Sequence, residues 1–195
     1  ALQQWDMAGL GVASVAVNLS AAELRQPGLA DRIAWDLDRH GIAPGRLVVE
    51  ILETVLARPG DEALMAGVDR LHRLGCRIDL DDFGTGHASF GAIRRMGAQR
   101  LKIDRSFVTG ATGDPGRTDM IAAIVGMARK LGLETVAEGV EDDADRALVT
   151  RLGCTHLQGY GIARPMPLEA THAWLARHRA TLPADEPQAG AVAAG

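Results

Sequence analysis

Apolar and polar positions along this chain follow two alternating periods. Spacings of three and four place Leu64, Val68 and Leu71 on one helical face and Ile121, Ile124, Val125, Ala128 and Leu131 on another. A weaker set, Ala144, Leu148 and Leu152, repeats the pattern. Between the helical runs lie short, nearly continuous apolar stretches at residues 12–20, 46–52, 76–82, 99–107, 133–140 and 155–163. Such runs suit parallel strands covered by helices. Five helical runs stop at a glycine and give way at once to a strand: Gly41, Gly75, Gly97, Gly132 and Gly153. A glycine there tolerates the left-handed conformation, and the Arg, His or Lys just before it suits the negative helix end.

Six strand–helix repeats in one modest domain predict a closed α/β barrel rather than a doubly wound sheet, and no G-x-G-x-x-G follows the first strand. An eight-stranded barrel takes about 250 residues. A chain of 195 residues falls short by about one strand and its helix. The expected fold class is therefore α/β, a TIM-like (β/α)8 barrel lacking its first strand. The beginning agrees: Ala1 is not an initiator Met, and "ALQQWDMAGLG" reads as the last turns of a helix without an N-cap. A longer parent protein is expected. The domain is expected to fill residues 1–178, followed by a disordered Pro/Gly/Ala tail over residues 179–195.

Composition narrows the partners. Net charge is -4, with Lys and Arg scattered singly, so no basic stripe offers itself to a long nucleic acid. A small phosphate ligand needs only a few local groups and stays open. No apolar run approaches the roughly 20 residues that span a bilayer, and no signal peptide opens the chain. Cys76 and Cys154 have neither disulfide-framework nor zinc spacing and read as small core residues at strand starts. A reducing, cytoplasmic setting is expected, with any membrane anchor lying elsewhere in the parent.

The candidate chemistry lies at one end of the strands. Asn18 closes the first, Glu50 lies late in the second, and Asp81 and Asp82 close the third; Lys102 and Asp104, Glu138 and Gln158 fall in the later three. Any one of these alone reads as a turn former or helix cap. Six strands doing so together point to the carboxyl-end rim where barrel enzymes carry their active sites. Asn, Glu and Asp are hard oxygen ligands suited to Mg²⁺ or Mn²⁺. Adjacent carboxylates are costly to keep ionised without a cation. Two such ions can clamp the attacking and leaving oxygens of a phosphodiester. Lys102 can hold the nucleophilic water or balance developing charge, or else form a structural ion pair with Asp104 or Glu138. Glu138 can accept a proton or complete the metal shell. Glu53, three residues after Glu50, points to the other face of a straight strand and is better placed to hold the "GTG" loop after Asp82.

In order, "VNLS" (17–20), "VEILET" (49–54), "DLDDFGTG" (79–86), "LKIDRSFV" (101–108), "TVAEGVE" (135–141) and "LQGYGIARPMP" (157–167) resemble the EAL-domain family. The resemblance implies a bacterial phosphodiesterase on a modified barrel, hydrolysing cyclic di-GMP to linear pGpG with Mg²⁺ or Mn²⁺ in a two-metal site. It implies Asn18, Glu50, Asp81 and Asp82 as metal ligands, Lys102 at the catalytic water and Glu138 as base or second-metal partner. Gln158, and less directly Asp104 and Glu141, match positions near the bound nucleotide, and Glu53 the glutamate that steadies the loop. It also allows a homodimer, with contacts near residues 109–119. His87-Ala88 stand where the family usually has Tyr-Ser; His87 reads as a loop-surface residue rather than a ligand. The Glu-Ala-Leu signature is not found in its family place, a first strand expected upstream of Ala1, and a substrate-contacting arginine goes with it. The chain alone is therefore expected to be inactive or nearly so. The competing expectation is a non-catalytic module that binds cyclic di-GMP or a protein partner.

Overall fold

The computed structural model of the chain describes residues 1–57, 60–86, 89–181 and 191–193. After a short helix α1 (Leu2–Met7), strand β1 (Ser14–Asn18) leads through α2 (Ala21–Leu24) and α3 (Leu29–Arg39) to β2 (Leu47–Leu52). Helix α4 (Glu62–Leu74) then precedes β3 (Arg77–Phe83), and α5 (Phe90–Met96) precedes β4 (Arg100–Ile103). The short α6 (Arg105–Val108) and long α7 (Pro115–Leu131) connect to β5 (Glu134–Ala137), and α8 (Asp143–Leu152) connects to β6 (His156–Leu157). Helix α9 (Leu168–Thr181) follows, and β7 (Ala191–Ala193) is the last described element.

Strands β1 to β6 lie side by side in chain order, all parallel, and curl into a partial barrel. Helices occupy the outer face. Val49, Ile51, Ile78, Leu80, Leu101 and Ile103 point outward into a core shared with Leu64, Val68, Leu71, Ile121, Ile124, Val125 and Ala128. Many of the alternate residues are polar or charged. Register aligns Asn18, Glu50, Asp79, Arg100 and Glu134 in one row across five strands, so the inner face is polar where the outer face is apolar.

The helix stops fall where the glycines predict: Gly75, Gly97, Gly132 and Gly153 each follow a helix in the left-handed conformation. Gly41 also has positive φ, two residues beyond α3. Three expectations need correction. Leu131 is partly exposed rather than core. In α8 the buried face is Asp145, Leu148 and Val149, with Ala144 turned to solvent. The runs at 99–107 and 155–163 are strands for only a few residues: Asp104 ends β4 by accepting the Ser106 N–H and starting α6, and β6 gives way to a glycine-containing loop. Cys76 and Cys154 are free thiols, and burial pushes both above the ordinary range, Cys154 to about 11.

A smaller second core joins α1 to α9 through Leu2, Trp5, Leu10, Val12 and Leu175, with Trp5 Nε1 donating to Thr171 Oγ1 at 2.8 Å. Of the expected tail, residues 179–181 finish α9 and Ala191–Ala193 pair in parallel with Ser14–Ala16 of β1; residues 182–190 and 194–195, like His87, lie outside the described residues. A Glu62-Ala63-Leu64 tripeptide does occur, but it opens helix α4 with Glu62 exposed and is no strand signature. No helix among the described residues is long and apolar enough to cross a membrane.

Helix α4 packs so closely on α2 that Gly67 has no room for a side chain: a Cβ would lie 2.0 Å from the Leu24 carbonyl oxygen. Both partners are backbone, so neither yields by a rotamer change. Gly67→Ala is expected to destabilise by about 1–3 kcal/mol despite alanine's better helix propensity. Urea unfolding measures this, and a stabilised variant would contradict the close approach.

Candidate functional site

Successive residues of a strand point to opposite faces, so Asp81 and Asp82 should not serve one site. The backbone resolves this with an irregularity. The β3–β4 register shifts between Leu80 and Phe83, and Asp82 has φ 53°, the single positive value at a non-glycine among the described residues. The bulge turns Asp82 back toward the side of Asp81, and Asp81, Asp82 and Glu138 each bring a carboxylate oxygen within 4.8 Å of the others.

Lys102 organises the layer beneath. Its Nζ lies 3.0 Å from Glu50 Oε1, 2.8 Å from Asp81 Oδ1 and 2.7 Å from Glu138 Oε1, with the side chain 4% exposed. An ammonium has three donors, and each has a carboxylate. Burial opposes the charge on Lys102, but Glu138, Glu50 and Asp81 together hold its pKa above the ordinary lysine value. Burial raises the carboxyls of Glu50 and Glu138 against the pull of Lys102. Asp82 is raised too, first by burial and then by the neighbouring charges of Asp81 and Asp104. An acidic cluster with raised proton affinity and a single ammonium holds charge that a divalent cation would neutralise. Its all-oxygen donors fit Mg²⁺ or Mn²⁺ better than zinc.

The other sequence-marked residues surround this cluster. Asn18 is paired in register with Glu50 and is exposed at the end of β1. Asp104 caps α6; burial works to raise its carboxyl, but the Ser106 contacts hold it below the ordinary range. Glu53, buried at the start of a 3-10 turn after β2, accepts from the Gly84 and Gly86 N–H groups at 2.8 and 2.9 Å through Oε2. Gln158 and Glu141 lie on two joined rim loops: Gln158 N–H donates to Ala137, Val140 N–H to Gln158 and Gly161 N–H to Val140. Gly159 is required there, since a Cβ would meet Val140 backbone atoms at 2.3 and 2.4 Å. Glu141 itself is exposed and Gln158 half-buried.

Two charged residues went unmarked in the sequence. Asp79 and Arg100 stand two positions before Asp81 and Lys102 and, by strand alternation, share their face. They pair at 2.6 Å with side chains 1% and 5% exposed. Both Arg100 contacts, from Nε and Nη2, reach Asp79 Oδ2; Oδ1 is the one buried side-chain polar atom without a hydrogen-bond partner among the described residues. The signal was available as a charge of each sign inside an apolar run.

Against known proteins, the family model described as EAL domain matches residues 1–165. The bifunctional diguanylate cyclase/cyclic di-GMP phosphodiesterase MucR of Pseudomonas aeruginosa is 39% identical over 168 residues, covering 86% of this chain and 24% of that protein. A solved structure described as the PaMucR phosphodiesterase in complex with c-di-GMP is 38% identical with a TM-score of 0.78, covering 87% of this chain and 73% of that one. The EAL domain of Mycobacterium smegmatis DcpA superimposes with a TM-score of 0.82 at 29% identity, covering 90% and 79% of the two chains. The chain thus spans about a quarter or less of the length of the first curated relatives it matches.

Proposed function

The chain belongs to the EAL domain family, and from that premise we propose that it forms most of a metal-dependent phosphodiesterase domain hydrolysing cyclic di-GMP to linear pGpG within a longer signalling protein. The observation that carries this reading is the convergence of Asp81, Asp82 and Glu138 around a lysine that also holds Glu50. Relatives described as cyclic di-GMP phosphodiesterases, and a cyclic di-GMP complex of one of them, support the choice of substrate.

Asn18, Glu50, Asp81 and Asp82 would hold two Mg²⁺ or Mn²⁺ ions, with Glu138 as a further ligand or as proton acceptor. Bound ions of this kind polarise a phosphoryl oxygen and supply hydroxide at neutral pH. Lys102, set among Glu50, Asp81 and Glu138, would orient the attacking water and balance charge developing on the phosphoryl group. The water oxygen bonds to phosphorus, the phosphorus–O3′ bond breaks, and the 3′ oxygen leaves with a proton. Asp104, Glu141 and Gln158 contact the nucleotide from the rim, and Glu53 keeps the loop after Asp82 in place through its two glycine amides. The family's first-strand glutamate has no strand counterpart in this sequence, so the 195 residues alone turn over little. A cytoplasmic setting and pairing of two copies belong to the same proposal.

The test is hydrolysis by the full-length protein, read as pGpG by chromatography. Chelation should abolish turnover, and Mn²⁺ or Mg²⁺ should restore it. Because Glu50, Asp82 and Glu138 hold protons more tightly than ordinary carboxyls, Mn²⁺ should compete with them increasingly as pH falls from about 7 to 5. Turnover indifferent to chelation would refute the metal assignment. Tight cyclic di-GMP binding without turnover would favour the non-catalytic module instead.

A further inference from the structure

Arg100 and Lys102 are two residues apart on β4 and face the same lumen, yet they divide its carboxylates cleanly. Lys102 takes Glu50, Asp81 and Glu138; Arg100 gives both its contacts to Asp79. Asp79 stands between Glu50 and Arg100 in the cross-strand row. Arg100's neighbour on the other side, Glu134, is engaged by Arg77 at 3.7 Å and by His156 Nε2 at 3.0 Å. A guanidinium keeps its charge in proteins, so a buried arginine deprived of its partner must find another acceptor. Beside Asp79 in this lumen stand Glu50, its cross-strand neighbour, and Asp81, two residues further along β3.

We propose that Asp79 is a positioning residue: it sequesters Arg100 and thereby reserves Glu50 and Asp81 for Lys102 and for divalent cations. The inference rests on the metal reading above only for its second readout. Removing Asp79 alone should let Arg100 reach up the lumen and compete with both Lys102 and the metal. Removing the two together should leave the upper layer as it is. Charge balance, not the presence of either side chain, is what the site requires.

Lysine occurs at only two positions in the chain, buried Lys102 and exposed Lys130. A chain labelled with 15N-lysine therefore reports Lys102 directly, as a slowly exchanging Nζ–H signal beside an exposed, rapidly exchanging one. Asp79→Leu, which keeps the branched outline of the side chain, is expected to shift or erase the Lys102 signal. It should also weaken Mn²⁺ binding, followed by electron paramagnetic resonance, by roughly tenfold or more. Asp79→Leu/Arg100→Leu should restore the signal and bring Mn²⁺ affinity to within about threefold of wild type. If Asp79→Leu fails to fold, Asp79→Asn takes its place, and a folded double variant with the wild-type signal then supports the proposal. A single variant with both readouts at wild-type values overturns it, as does a double variant as impaired as the single. A wild-type chain lacking the slow Lys102 signal would also overturn it. If the wild-type chain binds no Mn²⁺, the metal reading fails while the Lys102 signal still decides the role of Asp79.

Discussion

Lys102→Met is expected to cost the domain about 3–5 kcal/mol of stability without divalent cations, the scale for breaking a buried charge cluster by removing one partner. Methionine keeps most of the lysine stem and so spares the packing. What it removes is the one positive charge among the described residues that reaches Glu50, Asp81 and Glu138 together. The pH dependence identifies the cause. Lys102 holds its proton above the ordinary lysine value, so its contribution is complete below about pH 10.4 and is lost only as pH rises through the folded value. In the variant, Glu50 and Glu138 lose the ammonium that opposes their burial, and their carboxyls rise further. A folded state that binds more protons than the unfolded chain gains stability as pH falls. The deficit should therefore shrink toward mildly acidic pH, and Mn²⁺ should offset part of it at neutral pH. Urea titrations at several pH values, with and without Mn²⁺, measure both. A pH-independent deficit would point to lost packing. Hydrolysis by the full-length protein should disappear in the same variant even where Mn²⁺ restores the fold.

The lumen shows how far the sequence reaches. Strand order, glycine-terminated helices and the rim of acidic residues were all legible, because periods of two and of three to four are local properties of a chain. The run 99–107 reads as strand through Phe107 for the same reason: aromatic and β-branched residues favour strands. There a local contact prevails, since the Asp104 carboxylate takes the Ser106 N–H and opens a helix. The loop after Leu157 was misread differently. Its form depends on Val140 backbone lying against Gly159 and Gly161, a contact between distant segments that no local pattern reports. Asp79 and Arg100 were visible as letters but had no meaning until register placed them side by side. A charge inside an apolar run signals only that a partner must exist, and the fold supplies which one.

The bulge at Asp82 is the feature least available to sequence and the one on which the proposed chemistry most depends. A carboxylate there needs both its charge and a left-handed backbone, φ 53°, and the two requirements separate by substitution. Asn tolerates that conformation nearly as well as Asp, so Asp82→Asn should keep the fold and the Glu53 contacts to Gly84 and Gly86. It removes one of the carboxylates proposed to hold metal and, on that reading, should lower hydrolysis by the full-length protein at least about 10³-fold, in line with several kcal/mol of charge stabilisation from a properly held metal pair. Its apo form should be no less stable than wild type, because the lost charge was repelled by Asp81 and Asp104. Asp82→Val loses the charge and also resists positive φ, adding about 1–3 kcal/mol of backbone strain. The expected order of stability is therefore Asn at or above Asp, with Val clearly below. The expected order of activity is Asp far above both. A Val variant as stable as Asn would show that the strand can flatten without loss, and the bulge would then no longer explain how two adjacent aspartates face one site.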